Sequence, residues 1–148
     1  MSFKLVNGGN DQSGATVRVA KTAETAMAKG DVVAWDIANN AVERATSSTT
    51  VLTLFGVCME ARVAGDTDVL VQPINGSQIW EADTANNTHA TDQTGERCAL
   101  TDHDTLNNSG TDVSTHGGAA VARIIAPVGA VADKKALVMF FAPQVVTS

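Results

Sequence analysis

The chain of 148 residues contains no tyrosine, two tryptophans, four phenylalanines, two cysteines and three prolines. Several of these scarcities, with the shortage of positive charge, exclude a class of function. Cys58 and Cys98 stand far apart and match no zinc-ligand spacing, so a metal-stapled module is not expected. They read as reduced thiols behaving as small core residues, with a disulfide between them left open. Ten Lys and Arg stand against sixteen Asp and Glu, a formal net charge of −6, and Lys134-Lys135 is the only adjacent basic pair. Nucleic-acid binding rests on neutralised phosphates, and an anionic membrane makes the same demand, so neither is expected as a partner. A basic or mixed protein surface suits an acidic chain better. No apolar run approaches the roughly 20 residues of a membrane span. The start, Met1-Ser2-Phe3-Lys4-Leu5, lacks the apolar core of a signal peptide, and the chain reads as made in a cytoplasm.

What is abundant is Ala, Val, Thr, Asn and Gly. Two glycine-aspartate turns each open a β-branched run: Lys29-Gly30-Asp31-Val32-Val33-Ala34-Trp35 and Ala64-Gly65-Asp66-Thr67-Asp68-Val69-Leu70-Val71. Gly and Asp supply the backbone freedom and local hydrogen bonds of a tight turn, and the Val-rich runs prefer a pleated, half-buried surface. Further strands are predicted over 15–20, 41–45, 51–59, 68–72, 78–82, 97–100, 120–125 and 136–141, from alternation or from short apolar runs bounded by turn residues. Residues 22–28 are the best helical candidate, but Gly30 cuts the segment after two turns. The pattern predicts an all-β fold, a small β-barrel or sandwich with long polar loops and an extended N-terminal arm. The expected organisation is a flexible arm over 1–14, one β-rich domain over 15–142 and a polar tail over 143–148. The Asn- and Thr-rich stretch 83–118 is too long for an idle connection and is expected to carry contacts.

Catalytic signatures are missing. There is no nucleophile elbow and no phosphate-binding glycine loop, and Cys58 and Ser77 have no neighbouring base, so the chain reads as non-enzymatic with no cofactor. Asp102-His103-Asp104 is the sharpest chemical cluster. Carboxylates and an imidazole bind divalent metals, but the spacing fits no ligand motif, and a solvated turn is the expectation. Trp35 and Trp80 each follow an aliphatic residue in a predicted strand. Core packing is the first reading of both, and an interface anchor is the second. Phe3, Leu5 and Val6 are the apolar residues of the arm and the candidates for anchoring it to a partner.

The segments Ala28–Trp35, Phe55-Gly56-Val57 and Ala64–Val71, followed by Trp80–Asp83, Gly95 and Ala120–Ile124, resemble the capsid decoration, or cement, proteins of tailed bacteriophages. The resemblance covers roughly residues 15–142. It implies a structural protein of the virion that binds the outside of an assembled head. Its partners would be the major capsid protein and further copies of itself, as a homotrimer, and its effect would be to staple neighbouring capsid subunits. In that setting residues 1–14 would act as a strap. Other readings remain open at this point. One is a head-fibre, tail or baseplate component. Another is a carbohydrate-binding attachment module with Trp35 and Trp80 as stacking platform. A third is a metal enzyme built on Asp102, His103 and Asp104.

Overall fold

A computed structural model describes residues 3–7, 16–88, 93–108 and 120–142. Eleven strands follow in chain order: β1 (Lys4–Asn7), β2 (Val17–Ala20), β3 (Val32–Asp36), β4 (Ala41–Arg44), β5 (Leu54–Cys58), β6 (Asp68–Pro73), β7 (Ile79–Thr84), β8 (Arg97–Cys98), β9 (Thr105–Leu106), β10 (Ala122–Val128) and β11 (Lys135–Phe140). They form two sheets. The outer sheet has the order β1-β7-β11-β10-β8, with β9 added in parallel against β7; the curled sheet has the order β2-β6-β5-β3-β4. All other pairings are antiparallel. The fold is all-β, as expected, and of the two architectures considered it is the sandwich; no barrel closes.

The burial pattern of each strand explains its layer. β7 and β11 alternate strictly between buried and partly exposed residues, as a sheet with one covered face must. Trp80, Ala82, Ala136, Val138 and Phe140 face inward and meet Val32, Ala34, Leu54, Val57 and Ile74 of the curled sheet in one core. β3 is buried on both faces, so it reads as a continuous apolar run. Val32 and Ala34 point into the shared core, whereas Val33 belongs to a second cluster with Met27, Val42, Cys58, Val69 and Val71. That second core fills the concave side of the curled sheet. The curl brings the end of β2 to β4 through a single parallel bridge, Lys21 to Val42. Gly56 lies within β5. A Cβ there would stand 2.5 Å from the Gln72 carbonyl oxygen and from Val71 Cγ1, so the tight curl excludes a side chain.

The two glycine-aspartate turns sit side by side. Met27 and Arg62, each just before its turn, exchange two backbone hydrogen bonds of 2.8 Å. In each turn the aspartate carboxylate accepts from the backbone N–H three residues earlier, Asp31 from Ala28 and Asp66 from Val63, both at 2.9 Å. Gly30 and Gly65 have φ of 94° and 98°, a region L side chains avoid. The candidate helix over 22–28 does not form. Glycine at 30 and the cross-turn bridge at Met27 commit this stretch to turns.

Candidate functional site

The expected arm residues are placed first. Residues 3–7, expected as part of a flexible arm, instead begin the outer sheet. Phe3 is 3% exposed, its ring 5.0 Å from that of Phe140, and its N–H donates to the Gly30 carbonyl at 3.0 Å. Leu5 packs on the same core from β1, opposite Trp80. Val6, where the register with β7 shifts, is 53% exposed. Phe3 and Leu5 are thus held by the chain's own core, and Val6 is the one apolar candidate of the three left outward. Residues 8–14 of the arm and 143–148 of the tail lie outside the described residues.

The two tryptophans separate. Trp80 is 1% exposed and meets the edge of Phe140 at 6.0 Å, so it is core and offers no surface. Trp35 is half-buried and stacks on Phe55, with centroids 5.6 Å apart and planes 29° apart. The pairing depends on a bulge. Val33 pairs with Gly56 and Ala34 with Leu54, which leaves Phe55 as the extra residue and aims it to the side of Trp35. No platform of Trp35 with Trp80 exists. The partner that sequence reasoning missed is Phe55, which sat inside a long apolar run and gave no sign of a bulge.

Asp102, His103 and Asp104 form a loop, and Asp102 Oδ1 accepts from the Asp104 N–H at 3.0 Å. The loop is more than a solvated turn, because His103 docks on the curled sheet. Its carbonyl accepts from the Val32 N–H at 2.7 Å, and Nδ1 lies 3.1 Å from Oδ1 of the buried Asp31. Arg44 Nη1 reaches Nε2 at 3.3 Å. Asp31, His103 and Asp104 bring one ligand atom each within 4.8 Å of one another. The donor chemistry does not suit a cation. The Arg44 guanidinium donates to Nε2, and Nδ1 is the nitrogen that faces the carboxylates. Arg44 also sets a positive charge beside the trio. The arrangement is a polar clamp joining a loop of the outer sheet to the start of β3. Burial, and then the neighbouring Asp102, hold the Asp104 carboxyl above the usual carboxylate range.

A cleft of about 440 Å³ opens beside this clamp, lined among others by Glu43, Ser47, Asp102 and His103. The imidazole at its wall is engaged by Asp31 and Arg44, which leaves it poorly placed to act as a base. Cys58 and Cys98 are buried and unbridged, one in each core. Burial pushes the Cys98 thiol up to about 12, which keeps it from acting as a thiolate nucleophile at neutral pH.

A further polar cluster is a surface lattice on the curled sheet. Arg18 pairs with Glu60 at 2.9 Å and with Asp68 at 3.2 Å, and Arg62 pairs with Asp68 and, at 3.5 Å, with Glu60. The hydrogen bond from Arg18 holds the Glu60 carboxyl below its ordinary range, and that from Arg62 does the same for Asp68. This lattice ties β2 to β6 and to the connection before it, and offers no reactive group.

No curated protein matches the chain. A family model does, over residues 7–73, and its family is the phage cement proteins. The matched segment ends at Pro73, the last residue of β6, and so contains the whole curled sheet with both glycine-aspartate turns. The chain is thus a two-sheet β-sandwich whose sharpest polar cluster serves as an internal clamp and whose curled sheet is similar, over its whole length, to the phage cement proteins.

Proposed function

We propose that this chain binds the outside of an assembled phage head and staples neighbouring major capsid subunits, stabilising the shell, and that it acts there as a homotrimer without catalytic activity. The observation that carries this reading is the cement-family match over the complete curled sheet. The physics is compatible with it. The charged and imidazole groups described above are engaged in holding the sandwich together. A flat, lightly charged β-domain packs against neighbours without large desolvation cost. Each copy needs only modest affinity, because a trimer engages several sites on a closed lattice at once. The edge of β1, with Val6 outward, offers a place for a capsid strand to add to the outer sheet.

Electron cryomicroscopy of particles carrying the chain tests this. The expected result is density for the sandwich on the head exterior, repeated around three-fold positions. Heads stripped of the protein should also lose DNA at lower temperature than heads to which it has been restored. Density confined to the tail, the vertices or a fibre, or stripped heads as robust as restored ones, would overturn the reading.

A further inference from the structure

The two ends of the curled sheet meet where Lys21, just past β2, bridges Val42 of β4. Lys21 is 3% exposed and is the one buried Lys or Arg among the described residues. Its ammonium donates to the carbonyl oxygens of Thr22 at 2.8 Å and Asp66 at 3.2 Å. Among the described residues no carboxylate stands within ion-pair distance of it. Lysine is seldom buried without a counter-charge, because taking an unpaired charge out of water is costly. An ammonium carries three donors, and here two have acceptors.

The next residue leaves a second gap. Thr22 Oγ1 is buried and has no hydrogen-bond partner. An orphaned buried hydroxyl marks a place where a group from outside the chain completes the bonding, and it rotates to suit that group. Lys21 and Thr22 stand on the wall of a cleft of about 210 Å³, with Glu24 and Asn39 also lining it. That volume is below the range of pockets for drug-sized ligands and suits one small group. The walls are ordered. The N–H groups of Lys21 and Thr22 donate to the carbonyls of Thr67 and Val42 at 2.9 and 3.0 Å, and the Ala23 carbonyl accepts from Gly65 at 2.6 Å. Asn39 Nδ2 donates to the Asp36 carboxylate at 2.6 Å. A site shaped before binding loses little entropy when it fills.

The charges select the ligand. An ammonium without a counter-charge calls for an anion. Glu24, on the same wall, is exposed and not ion-paired with Lys21, so a second negative charge on the ligand would be repelled. A monoanion fits and a phosphate dianion does not. A carboxylate has the two acceptor oxygens that an ammonium and a hydroxyl can share.

We propose that the cleft beside Lys21 is a binding site for one carboxylate group, held by the Lys21 ammonium and the Thr22 hydroxyl. The probe is sodium acetate, titrated into the full-length protein against sodium chloride at equal ionic strength, which holds screening constant. Side-chain nuclear magnetic resonance of the lysines and the melting temperature are followed together. The expected result is a saturable shift of the Lys21 signals, with a dissociation constant on the order of 1–10 mM, and a parallel rise in melting temperature. Lys4, Lys29, Lys134 and Lys135 should not shift with it. Lys21→Met should abolish both responses. Thr22→Val should weaken acetate binding by about threefold to tenfold, and Glu24→Gln should tighten it. A wild-type protein with no saturable response to acetate, or with an equal response to chloride, would overturn the site and leave Lys21 held by its two carbonyls alone. Tighter binding of inorganic phosphate than of acetate would overturn the assignment to a carboxylate.

The site does not depend on the capsid reading. Rebinding to heads stripped of this chain separates two sources of the carboxylate. A loss of about tenfold for Lys21→Met, with acetate competing against wild type, would assign it to an Asp or Glu side chain of the head shell. Unchanged rebinding, with the acetate response present, would assign it to a free organic acid; the site stands in both cases. Heads that fail to retain wild type would count against the capsid reading and leave the acetate result as the test of the site.

Discussion

Two aspartates with the same local geometry carry different weights because their surroundings differ. Asp31 and Asp66 each close a glycine turn by accepting from the N–H three residues earlier. Asp31 is 2% exposed and also meets His103, so it fixes both its turn and the loop from the outer sheet. The Asp66 side chain is 33% exposed and lies 3.8 Å from Arg62 at the surface. Removing Asp31 leaves the Ala28 N–H without its acceptor and takes away the carboxylate that faces His103 Nδ1, in a dry site where water cannot replace it. Asp31→Ala should therefore cost about 2 to 3 kcal/mol, and Asp66→Ala about 1 kcal/mol or less. Urea unfolding of the two variants at neutral pH checks this. Equal losses would mean that the His103 clamp contributes nothing beyond the turn.

At the scale of the element, most strands were legible because their side chains carry the signal. The alternation in β7 and β11 and the Val runs after each glycine-aspartate turn mark one covered face or two. The limits shifted where packing intervened. The run from Val51 to Met59 holds only a short strand, since residues 50–53 turn and Phe55 bulges. β9 was not legible: two residues pairing in parallel with β7 leave no pattern. β1 was missed for a different reason. Its neighbours 8–14 are polar and Gly-rich, and composition averaged over that window hides an apolar pair whose partners, Trp80 and Phe140, lie far along the chain. Among the candidate contacts, Trp35 was legible as an aromatic in a strand. Its stacking partner Phe55 was not, because the bulge that turns it toward Trp35 leaves no mark in the sequence. The reassignment of Phe3 from arm to core has a measurable consequence. Phe3→Ala should destabilise the domain by about 3 kcal/mol or more, the usual cost of emptying a buried aromatic site. Val6→Ala, three residues on from Phe3 but exposed, should stay within about 0.5 kcal/mol. Chemical denaturation of both separates a structural β1 from a loosely attached one.

For the whole molecule, the family match and the physics of folding divide the chain differently. Residues 7–73 match the cement family and contain the curled sheet, which carries its own small core of Met27, Val33, Val42, Cys58, Val69 and Val71. That core covers only the concave side. On the convex side Val32, Ala34, Leu54, Val57 and Ile74 are at most 5% exposed, and they are covered by the outer sheet together with Phe3, which lies upstream of the matched segment. Taken alone, the curled sheet would present these five side chains to water as one apolar face. Burial of such side chains contributes about 1.5 to 3 kcal/mol for each large aliphatic, comparable in total to the whole stability of a small domain. A fragment of residues 16–74 should therefore lack a cooperative unfolding transition, bind a hydrophobic dye and associate, although it holds nearly all of the family-matched sequence. Circular dichroism melts and dye binding on that fragment and on the full chain test this. A cooperative, dye-free fragment would show that the curled sheet is an autonomous module and that the outer sheet is an addition to it. Failure of the fragment alone would mean that the cement-matched half needs the outer sheet, so that any surface it presents to a capsid is held in shape by the other half of the chain.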